Sequence, residues 1–236
     1  MLKINGVTKL YAGSNKGIRD LTLQVQAGDL CAFIGHNGAG KTTTLKAVCG
    51  IHDFDGEILV DGISVKDNPL AAKQHMAYIP DNPDLFEYLT GIQYLNFIAD
   101  VFSLSAAERE RRIKKYADAF EITAALGDLI STYSHGMKQK LAIISALIHQ
   151  PKLLVLDEPF VGLDPKAART LKEYMHRLCE KGGAVFFSTH VLEVAEKLCN
   201  TVAIIKDGVL VTAGNMADVI KDDSLEALFM EVAVDD

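Results

Sequence analysis

The chain has 236 residues, 49% of them apolar, and its 24 basic and 31 acidic side chains give a net charge of −7. This length fits one large domain, or one domain with a sizeable insertion, and the apolar fraction excludes a disordered segment. The acidic balance argues against a nucleic-acid partner. The first residues lack the apolar core of a signal peptide, and the longest charge-free run, residues 88–99, is shorter than the ~20 residues that span a bilayer. We therefore expect a soluble, intracellular, globular protein.

The cysteines lie far apart, with no CxxC pair and no histidine at the spacing of a zinc site. They are Cys31, Cys49, Cys179 and Cys199. This pattern is typical of reduced thiols in the core of a cytosolic protein rather than of a disulfide framework or a metal site.

Alternating apolar and polar residues open the chain and predict short strands over residues 2–5 and 21–25, each exposed on one face. Later runs are apolar throughout, which favours strands of a mostly parallel sheet buried on both faces. Helical patterns lie between them, so the chain predicts a layered α/β fold. The apolar runs are residues 30–34, 77–79, 153–156, 184–187 and 202–205, and the helical patterns are residues 41–48, 165–180 and 191–198.

Residues 90–150 interrupt this alternation with helical periodicity and no convincing strand. One helix in this stretch is charged and follows Ser105, which has Glu108 three residues later, as in a capping box.

Near the end of the chain, Lys206-Asp207-Gly208 separates two apolar runs and predicts a hairpin with a last strand over residues 209–212. We predict one domain over residues 1–236, with an α/β core that includes an N-terminal antiparallel β part (residues 1–89 and 151–236) and an inserted helical subdomain (residues 90–150).

The strongest motif is a complete GxxxxGK[ST] phosphate loop, formed by Gly35, His36, Asn37, Gly38, Ala39, Gly40, Lys41 and Thr42. It follows a predicted buried strand and opens a helix, which argues against an incidental glycine-rich turn. Glycines let the backbone curl so that several N–H groups point at one phosphate, and the helix N-terminus adds its positive dipole end. In such loops the lysine pairs with the β- and γ-phosphates and the next hydroxyl ligates Mg²⁺.

A second motif ends the apolar run 153–156 with two adjacent carboxylates, Asp157 and Glu158. Adjacent carboxylates repel one another unless a cation lies nearby. Asp157, at the carboxyl end of a strand, is placed to hold Mg²⁺ directly or through water. Glu158 would then act as the general base for an attacking water. The alternative is a solvated acidic turn, which the phosphate loop in the same chain makes less favourable.

A third motif, Ser188-Thr189-His190, directly follows the apolar run 184–187. A histidine at the end of a strand can reach a γ-phosphate from the side. Taken alone, such a histidine is more often a structural residue, but the other two motifs favour the catalytic interpretation.

The order of these motifs resembles the nucleotide-binding domain of the ATP-binding-cassette (ABC) family over essentially the whole chain. The resemblance implies that Tyr11 stacks on adenine, as aromatic side chains do on bases, and that His190 is the family's switch histidine. Tyr133-Ser134-His135-Gly136-Met137-Lys138-Gln139 stands where the signature motif LSGGQ is expected, whose serine and glycine contact the γ-phosphate held by the other subunit. Gly162-Leu163-Asp164 matches the loop that links the two sites across the dimer.

The chain departs from the family pattern at several positions. Asp81 stands where the family has a glutamine that senses Mg²⁺ and the membrane partner, so its charge and reach differ even if it holds metal-bound water. His135 replaces the first glycine of the signature and Met137 its glutamine, and Val161 replaces a common serine. Because the signature serine and glycine are intact, we expect a working but slower composite site.

The resemblance implies an Mg²⁺-dependent ATPase that closes as a head-to-tail dimer around two ATP molecules, as a homodimer or with a related cassette. It implies a separate polytopic membrane subunit, a cytoplasmic location on the inner face of the cell membrane, and export, as in bacterial exporter-like cassettes. We expect the docking surface near Asp81 and an aromatic segment with Phe86, Tyr88, Leu89, Tyr94 and Phe97, although these residues could instead form the core of the insert.

The resemblance gives three groups of candidate site residues. The candidate catalytic residues are Lys41, Glu158 and His190, and the candidate metal ligands are Thr42, Asp157 and Asp81. The candidate ATP contacts are Tyr11, Gly35, His36, Asn37, Gly38, Ala39, Gly40, Lys41, Thr42, Thr43, Ser134 and Gly136.

Three alternatives stay open at this point. A cassette that acts in DNA repair or on the ribosome would carry long coiled coils or a second cassette, and the chain has neither. Another class of phosphate-loop enzyme, such as a GTPase or a small-molecule kinase, would not explain the signature and switch positions. A regulatory cassette with slow or absent hydrolysis is suggested by Asp81 and His135, and measured ATP turnover would separate it from the others.

Overall fold

The computed structural model describes residues 1–14, 16–221 and 224–234, with side chains up to residue 230. Two compact units can be distinguished. The first comprises Met1–Tyr78, Lys152–Pro159 and Met175–Asp236, and the second comprises Ile79–Pro151 and Phe160–Tyr174. Residues 79–89 and 160–174, which the sequence pattern assigned to the core, fall in the second unit, and the single-domain assignment stays a prediction.

The described residues form strands and helices in alternation over much of the chain. The strands are β1 (Leu2–Leu10), β2 (Gly17–Val25), β3 (Leu30–Ile34), β4 (Asp55–Val60), β5 (Ile63–Ser64), β6 (Met76–Ile79), β7 (Leu153–Asp157), β8 (Ala184–Thr189), β9 (Thr201–Lys206) and β10 (Val209–Asn215). The helices are α1 (Lys41–Val48), α2 (Pro69–His75), α3 (Gly91–Val101), α4 (Ala106–Ala119), α5 (His135–Leu147), α6 (Pro165–Glu180), α7 (Leu192–Leu198), α8 (Met216–Ile220) and α9 (Leu225–Val234).

The N-terminal sheet is antiparallel, with strand order β2-β1-β4-β5. Strand β1 is longer than the predicted residues 2–5, because the chain continues as strand after an irregularity. The register with β2 shifts between Ile4 and Val7, and Gly6 in between has φ +55°. A bulge of this kind breaks the period-2 pattern on which the prediction depended. The prediction also omitted β4, β5 and α2.

The second sheet has the order β10-β9-β3-β8-β7-β6. Strand β3 runs parallel to both β8 and β9, and β7 runs parallel to β8. Alternate residues of these strands, such as Cys31 and Phe33 in β3, belong to one core cluster with side chains from α1 and the antiparallel sheet. The intervening residues are buried as well, since the burial pattern of β3, β7 and β8 is continuous. Burial on both faces is the reason that these strands are apolar throughout, and the predicted α/β fold class is confirmed.

Two Asp-Gly turns have nearly the same φ angles. Asp61 and Gly62, between β4 and β5, have φ of +51° and +79°, and Asp207 and Gly208, between β9 and β10, have φ of +48° and +81°. Positive φ at both central residues is typical of a two-residue hairpin. The predicted hairpin after β9 is therefore present, and the N–H of Gly208 donates to the carbonyl of Ala39 at 2.9 Å.

The helices of the second unit begin at side-chain caps. Thr90 and Gln93 form a reciprocal capping box at α3, and the hydroxyls of Ser105 and Ser134 accept the N–H three residues later at α4 and α5. The predicted cap at Ser105 is thus present, and the Glu108 carboxylate also accepts a hydrogen bond from the Ser105 hydroxyl at 3.1 Å.

The cysteines are buried, as the sequence predicted, and none of them forms a disulfide within the described residues. Desolvation raises the pKa of Cys31 to about 12 and that of Cys179 to about 11, which keeps both thiols protonated. Within the part of the chain that the structure describes, no helix combines the length and apolarity required to cross a membrane.

Candidate functional site

The phosphate loop joins β3 to α1 and turns at two glycines. Gly38 has φ +89° and Gly40 has φ +111°, both in the region that favours glycine. Gly40 is also the N-cap of α1, and no side chain of the described residues caps this helix. The first amides of α1 therefore keep their capacity to bind an anion. A Cβ at Gly38 would have open space around it, whereas one at Gly40 would lie 2.9 Å from Cγ2 of Ile18.

Lys41 is folded back over the loop that precedes it. Its Nζ donates to the carbonyl oxygens of Gly35 at 2.6 Å and His36 at 3.1 Å. Burial lowers the pKa of Lys41, and the carboxylates of Glu158 and Asp157 oppose this shift. The ammonium group is thus held inside the loop, with two acidic groups near enough to favour its charged form.

Asp157, the last residue of β7, is almost completely buried, with 1% of its surface exposed. Its Oδ1 accepts a hydrogen bond from the Ser188 hydroxyl, but its Oδ2 has no hydrogen-bond partner among the described residues. A buried carboxylate oxygen without a partner is costly unless a cation or a water molecule occupies the position next to it. This oxygen and the exposed hydroxyl-bearing Thr42 are the donor types that Mg²⁺ prefers, so these residues fit the ion.

Glu158 follows with a backbone conformation that is unusual for its residue type, with φ +47°. Its N–H donates to the Ser188 hydroxyl at 3.0 Å, and its Oε1 lies 3.0 Å from Nδ1 of His190. Ser188 therefore contacts both acidic residues, a role that the sequence analysis did not assign. Its signal in the sequence was its place as the first polar residue after the apolar run 184–187. The structure brings Asp157, Glu158 and His190 together.

Tyr11 comes directly after β1, and its side chain reaches α1. Its hydroxyl lies 3.1 Å from Oγ1 of Thr43. The residue remains 41% exposed, which leaves part of the ring accessible to a ligand. Within the first compact unit, Tyr11 therefore contacts α1, the helix that the phosphate loop opens.

The signature segment lies in the second unit, at the start of α5. Ser134 and His135 are exposed, and the Ser134 hydroxyl accepts the N–H of Met137 at 3.3 Å. A Cβ added to Gly162 would lie 2.5 Å from Cδ2 of His135, so the imidazole ring packs directly against this glycine. Gly136 also approaches this loop, because a Cβ there would lie 2.9 Å from the carbonyl oxygen of Gly162.

Asp164, in the loop after Gly162, is fixed by an ion pair with Lys140 of α5 at 2.6 Å. The hydrogen bond from Lys140 is the first cause that lowers the pKa of Asp164. This ion pair and the packing of His135 join the signature helix α5 to the loop of residues 162–164. The family resemblance implies that this loop links the two sites across the dimer.

Asp81 is exposed, and its Oδ1 accepts the N–H of Asn82 at 2.9 Å. Its part in metal binding stays a prediction. The aromatic segment that follows forms a cluster, defined here as Phe86, Tyr88, Tyr94 and Phe97, in which Phe86 lies 5.7–6.0 Å from the other three ring centroids. Phe86, Tyr88 and Phe97 are 43%, 74% and 45% exposed, and Tyr94 is half-buried, so this aromatic cluster lies largely at the surface.

A family model described as "ABC transporter" matches residues 18–161. Among curated proteins of Bacillus subtilis, the ABC-type transporter ATP-binding protein EcsA is 31% identical over 100% of this chain and 98% of its own length. The uncharacterized ABC transporter ATP-binding protein YhcH is 34% identical over 92% of this chain and 71% of its own. The linearmycin resistance ATP-binding protein LnrL is 32% identical over 92% of this chain and 70% of its own.

Solved structures give the same result for the fold. A chain described as the ATP-binding subunit of an ABC transporter superposes with a TM-score of 0.93 and 34% identity, over 98% of this chain and 99% of its own. A dimeric ATP-binding cassette in a post-hydrolysis state, bound to ADP and phosphate, superposes with a TM-score of 0.83 at 22% identity, over 92% of this chain and 99% of its own.

Proposed function

The chain belongs to the ABC transporter family as an ATP-binding subunit of ABC-ATPase type, and from this premise we propose that it hydrolyses Mg-ATP at a dimer interface to drive transport through a membrane partner. The observation that carries the proposal is the site in the first unit. There Lys41 lies inside the phosphate loop, a buried oxygen of Asp157 has no hydrogen-bond partner among the described residues, and Glu158 contacts His190.

Each side chain of this site has a distinct task. The loop amides and Lys41 hold the β- and γ-phosphates. Glu158 accepts a proton from the water that attacks the γ-phosphorus, the bond to the bridging oxygen breaks, and ADP and phosphate are the products. His190 orients the Glu158 carboxylate. Thr42 and Asp157 would hold Mg²⁺, which neutralises phosphate charge when bound.

The active site is completed by Ser134 and Gly136 of a second subunit in this proposal. Their support is the exposed start of α5, where an N-terminal helix dipole and a capping hydroxyl can meet an anion from outside. A related cassette forms a dimer with ADP and phosphate bound. ATP would hold two subunits together, and hydrolysis would remove this link. A ligand favours the closed dimer only as far as it binds the closed state more tightly than the open state.

Substitution of Ser134 tests the composite site. We expect Ser134→Arg to abolish ATP-dependent dimerisation and turnover, because a long cationic side chain fills the position that the partner's phosphate must reach. Phosphate release and size-exclusion chromatography measure both effects. Ser134→Ala is the matched control, since it removes the same helix cap, at a cost of about 1 kcal/mol, without added bulk. It should still dimerise. A normal rate in Ser134→Arg would contradict the composite site.

The partner in this proposal is a separate polytopic membrane subunit, which would place the chain on the cytoplasmic face of the cell membrane. The exposed part of the aromatic cluster supports a docking surface there, because exposed aromatic groups are enriched at protein interfaces. The direction that we propose is export. One relative's name refers to resistance to linearmycin, and outward transport is a direct way to resist a compound.

A pull-down identifies this partner. Tagged Glu158→Gln protein, incubated with Mg-ATP and cell membranes in mild detergent, should recover a protein with several membrane spans, identified by mass spectrometry. Tyr88→Ser in the same background should reduce that recovery while ATP binding is unchanged, since Tyr88 is far more exposed than the other members of the aromatic cluster. Recovery of ribosomal or DNA-repair proteins without a membrane chain would support the non-transport alternative. A second cassette in the eluate would show a heterodimer.

A regulatory cassette with slow hydrolysis is the second candidate. The observation that favours it is the packing of the His135 imidazole ring against Gly162. His135 stands where the family signature has a glycine, which has no side chain to pack there. ATP turnover by the assembled complex that is no faster than that of its Glu158→Gln variant would support this candidate.

A further inference from the structure

Tyr11 is held by side-chain contacts at both its hydroxyl and its ring. Besides the contact with Thr43, its hydroxyl lies 3.3 Å from Nε2 of His52, in the loop that follows α1. The two rings meet edge to face, with centroids 5.9 Å apart and planes at 89°, which is a favourable arrangement for aromatic pairs. These contacts fix the plane of the Tyr11 ring although much of the residue is exposed.

We propose that His52 is a positioning residue for nucleotide binding, which holds the Tyr11 ring in the orientation that an adenine base requires for stacking. The inference rests on the proposed function, because it takes Tyr11 as the surface on which the base stacks. It adds a residue outside every motif of the phosphate site.

The hydrogen bonds of this group form a consistent chain. Partial burial, and then the positive charges of Lys46 and Lys9, lower the pKa of His52, while Asp53 opposes the shift. A histidine ionises near pH 6.5 without such influences, so this imidazole is neutral at neutral pH and offers one lone pair. The Tyr11 hydroxyl can donate to it while Tyr11 accepts from Thr43, and every hydroxyl then has a partner.

The consequence is a direct link between the base-stacking surface and the phosphate loop. Thr43 lies in the first turn of α1 and is buried, so its position is set by the helix that carries the loop. A ring that is already oriented loses less conformational freedom when a ligand binds, which strengthens binding without a new contact to the ligand. His52 thus contributes to affinity for the base and not to affinity for the phosphates.

The test compares two ligands that share their phosphates and differ in the base. Isothermal titration calorimetry would measure ADP and inorganic pyrophosphate, neither of which is hydrolysed by this mechanism. We expect His52→Leu to weaken ADP binding about three- to tenfold, the usual size of one lost hydrogen bond, and to leave pyrophosphate binding within twofold. His52→Gln, whose amide can still bond to Tyr11, should recover most of the loss. His176→Leu, at an exposed histidine of α6, should change neither affinity.

A double variant separates positioning from a general effect on the fold. Tyr11→Phe removes the hydroxyl and keeps the ring, so it should resemble His52→Leu, and the two changes together should cost no more than either alone. Suppose that Tyr11→Ala weakens ADP binding. If His52→Leu then weakens the binding of ADP and pyrophosphate equally, or weakens neither, the proposed role of His52 is wrong. If Tyr11→Ala leaves ADP binding unchanged, the stacking role of Tyr11 fails and the role of His52 fails with it.

Discussion

Glu158→Gln is expected to lower ATP turnover at least 10²- to 10⁴-fold, the usual contribution of a general base, and to preserve ATP binding. Glutamine has the size of glutamate but cannot take the proton of the attacking water. The Glu158 N–H bonds to Ser188 through the main chain, so this contact survives the change, and the amide oxygen can still accept from His190. Phosphate release under saturating Mg-ATP measures the loss, and calorimetry with ATP measures the retained affinity.

The same variant should accumulate as an ATP-dependent dimer on size exclusion, since the nucleotide is no longer removed. Glu193→Gln is a suitable control, because Glu193 is an exposed glutamate paired with Lys197 on α7 and the change in net charge is equal. Its turnover should match that of the unmodified chain. Turnover retained in Glu158→Gln would exclude Glu158 as the base and would leave its contact with His190 as a structural one.

Lys41→Ala is expected to act on binding itself. The ammonium group makes charge-assisted hydrogen bonds to phosphate oxygens in the proposed complex, and one such bond contributes about 1.5–3 kcal/mol, which corresponds to about 10- to 100-fold in affinity. The rate at saturating ATP should fall a further 10²–10³-fold, the typical effect of removing one preorganised group from the transition state. Calorimetry with ADP and phosphate-release assays separate the two effects.

Lys41→Ala also removes the hydrogen bonds to the carbonyls of Gly35 and His36, so thermal unfolding must be measured in parallel. Lys73→Ala, at an exposed lysine of α2, makes the same change in charge away from the loop and should leave nucleotide affinity unchanged. If Lys41→Ala binds ADP as well as the unmodified chain does, then Lys41 does not contact the phosphates in the ground state.

The sequence predicted those parts of the fold that local patterns determine. Strand β3 and helix α6 have the predicted bounds, because an unbroken apolar run and a 3.6-residue period give strong signals. Helix α1 also has the predicted bounds, since the phosphate-loop motif marks its first residue. The bulge at Gly6 ended the first strand prediction too early. Strand β4, which has only Ile58 and Val60 as buried residues, and helix α2, with Ala72 alone buried, gave signals too weak to be recognised.

The candidate site divides in the same way. The loop residues, Asp157 and Glu158 could be named as candidates because each belongs to a contiguous motif with its own chemistry. Ser188 and His52 were not assigned roles, since their importance depends on side chains 30 or more residues away in the sequence, Asp157 and Tyr11 respectively. Contacts of this kind follow from the packing of strands and loops, which no local pattern in one sequence specifies.

The two Asp-Gly turns, alike in their φ angles, should differ in how much sequence change they accept. At Gly62 a side chain would have open space within 4 Å, whereas a Cβ at Gly208 would lie 2.2 Å from the carbonyl oxygen of Gly17. If all amino acids are tested at each position, we therefore expect asparagine and aspartate to give functional protein at position 62. At position 208 only glycine should do so. An engineered peptide tag or fluorescent insertion belongs in the turn between β4 and β5, because the other turn is a packed support of the phosphate loop.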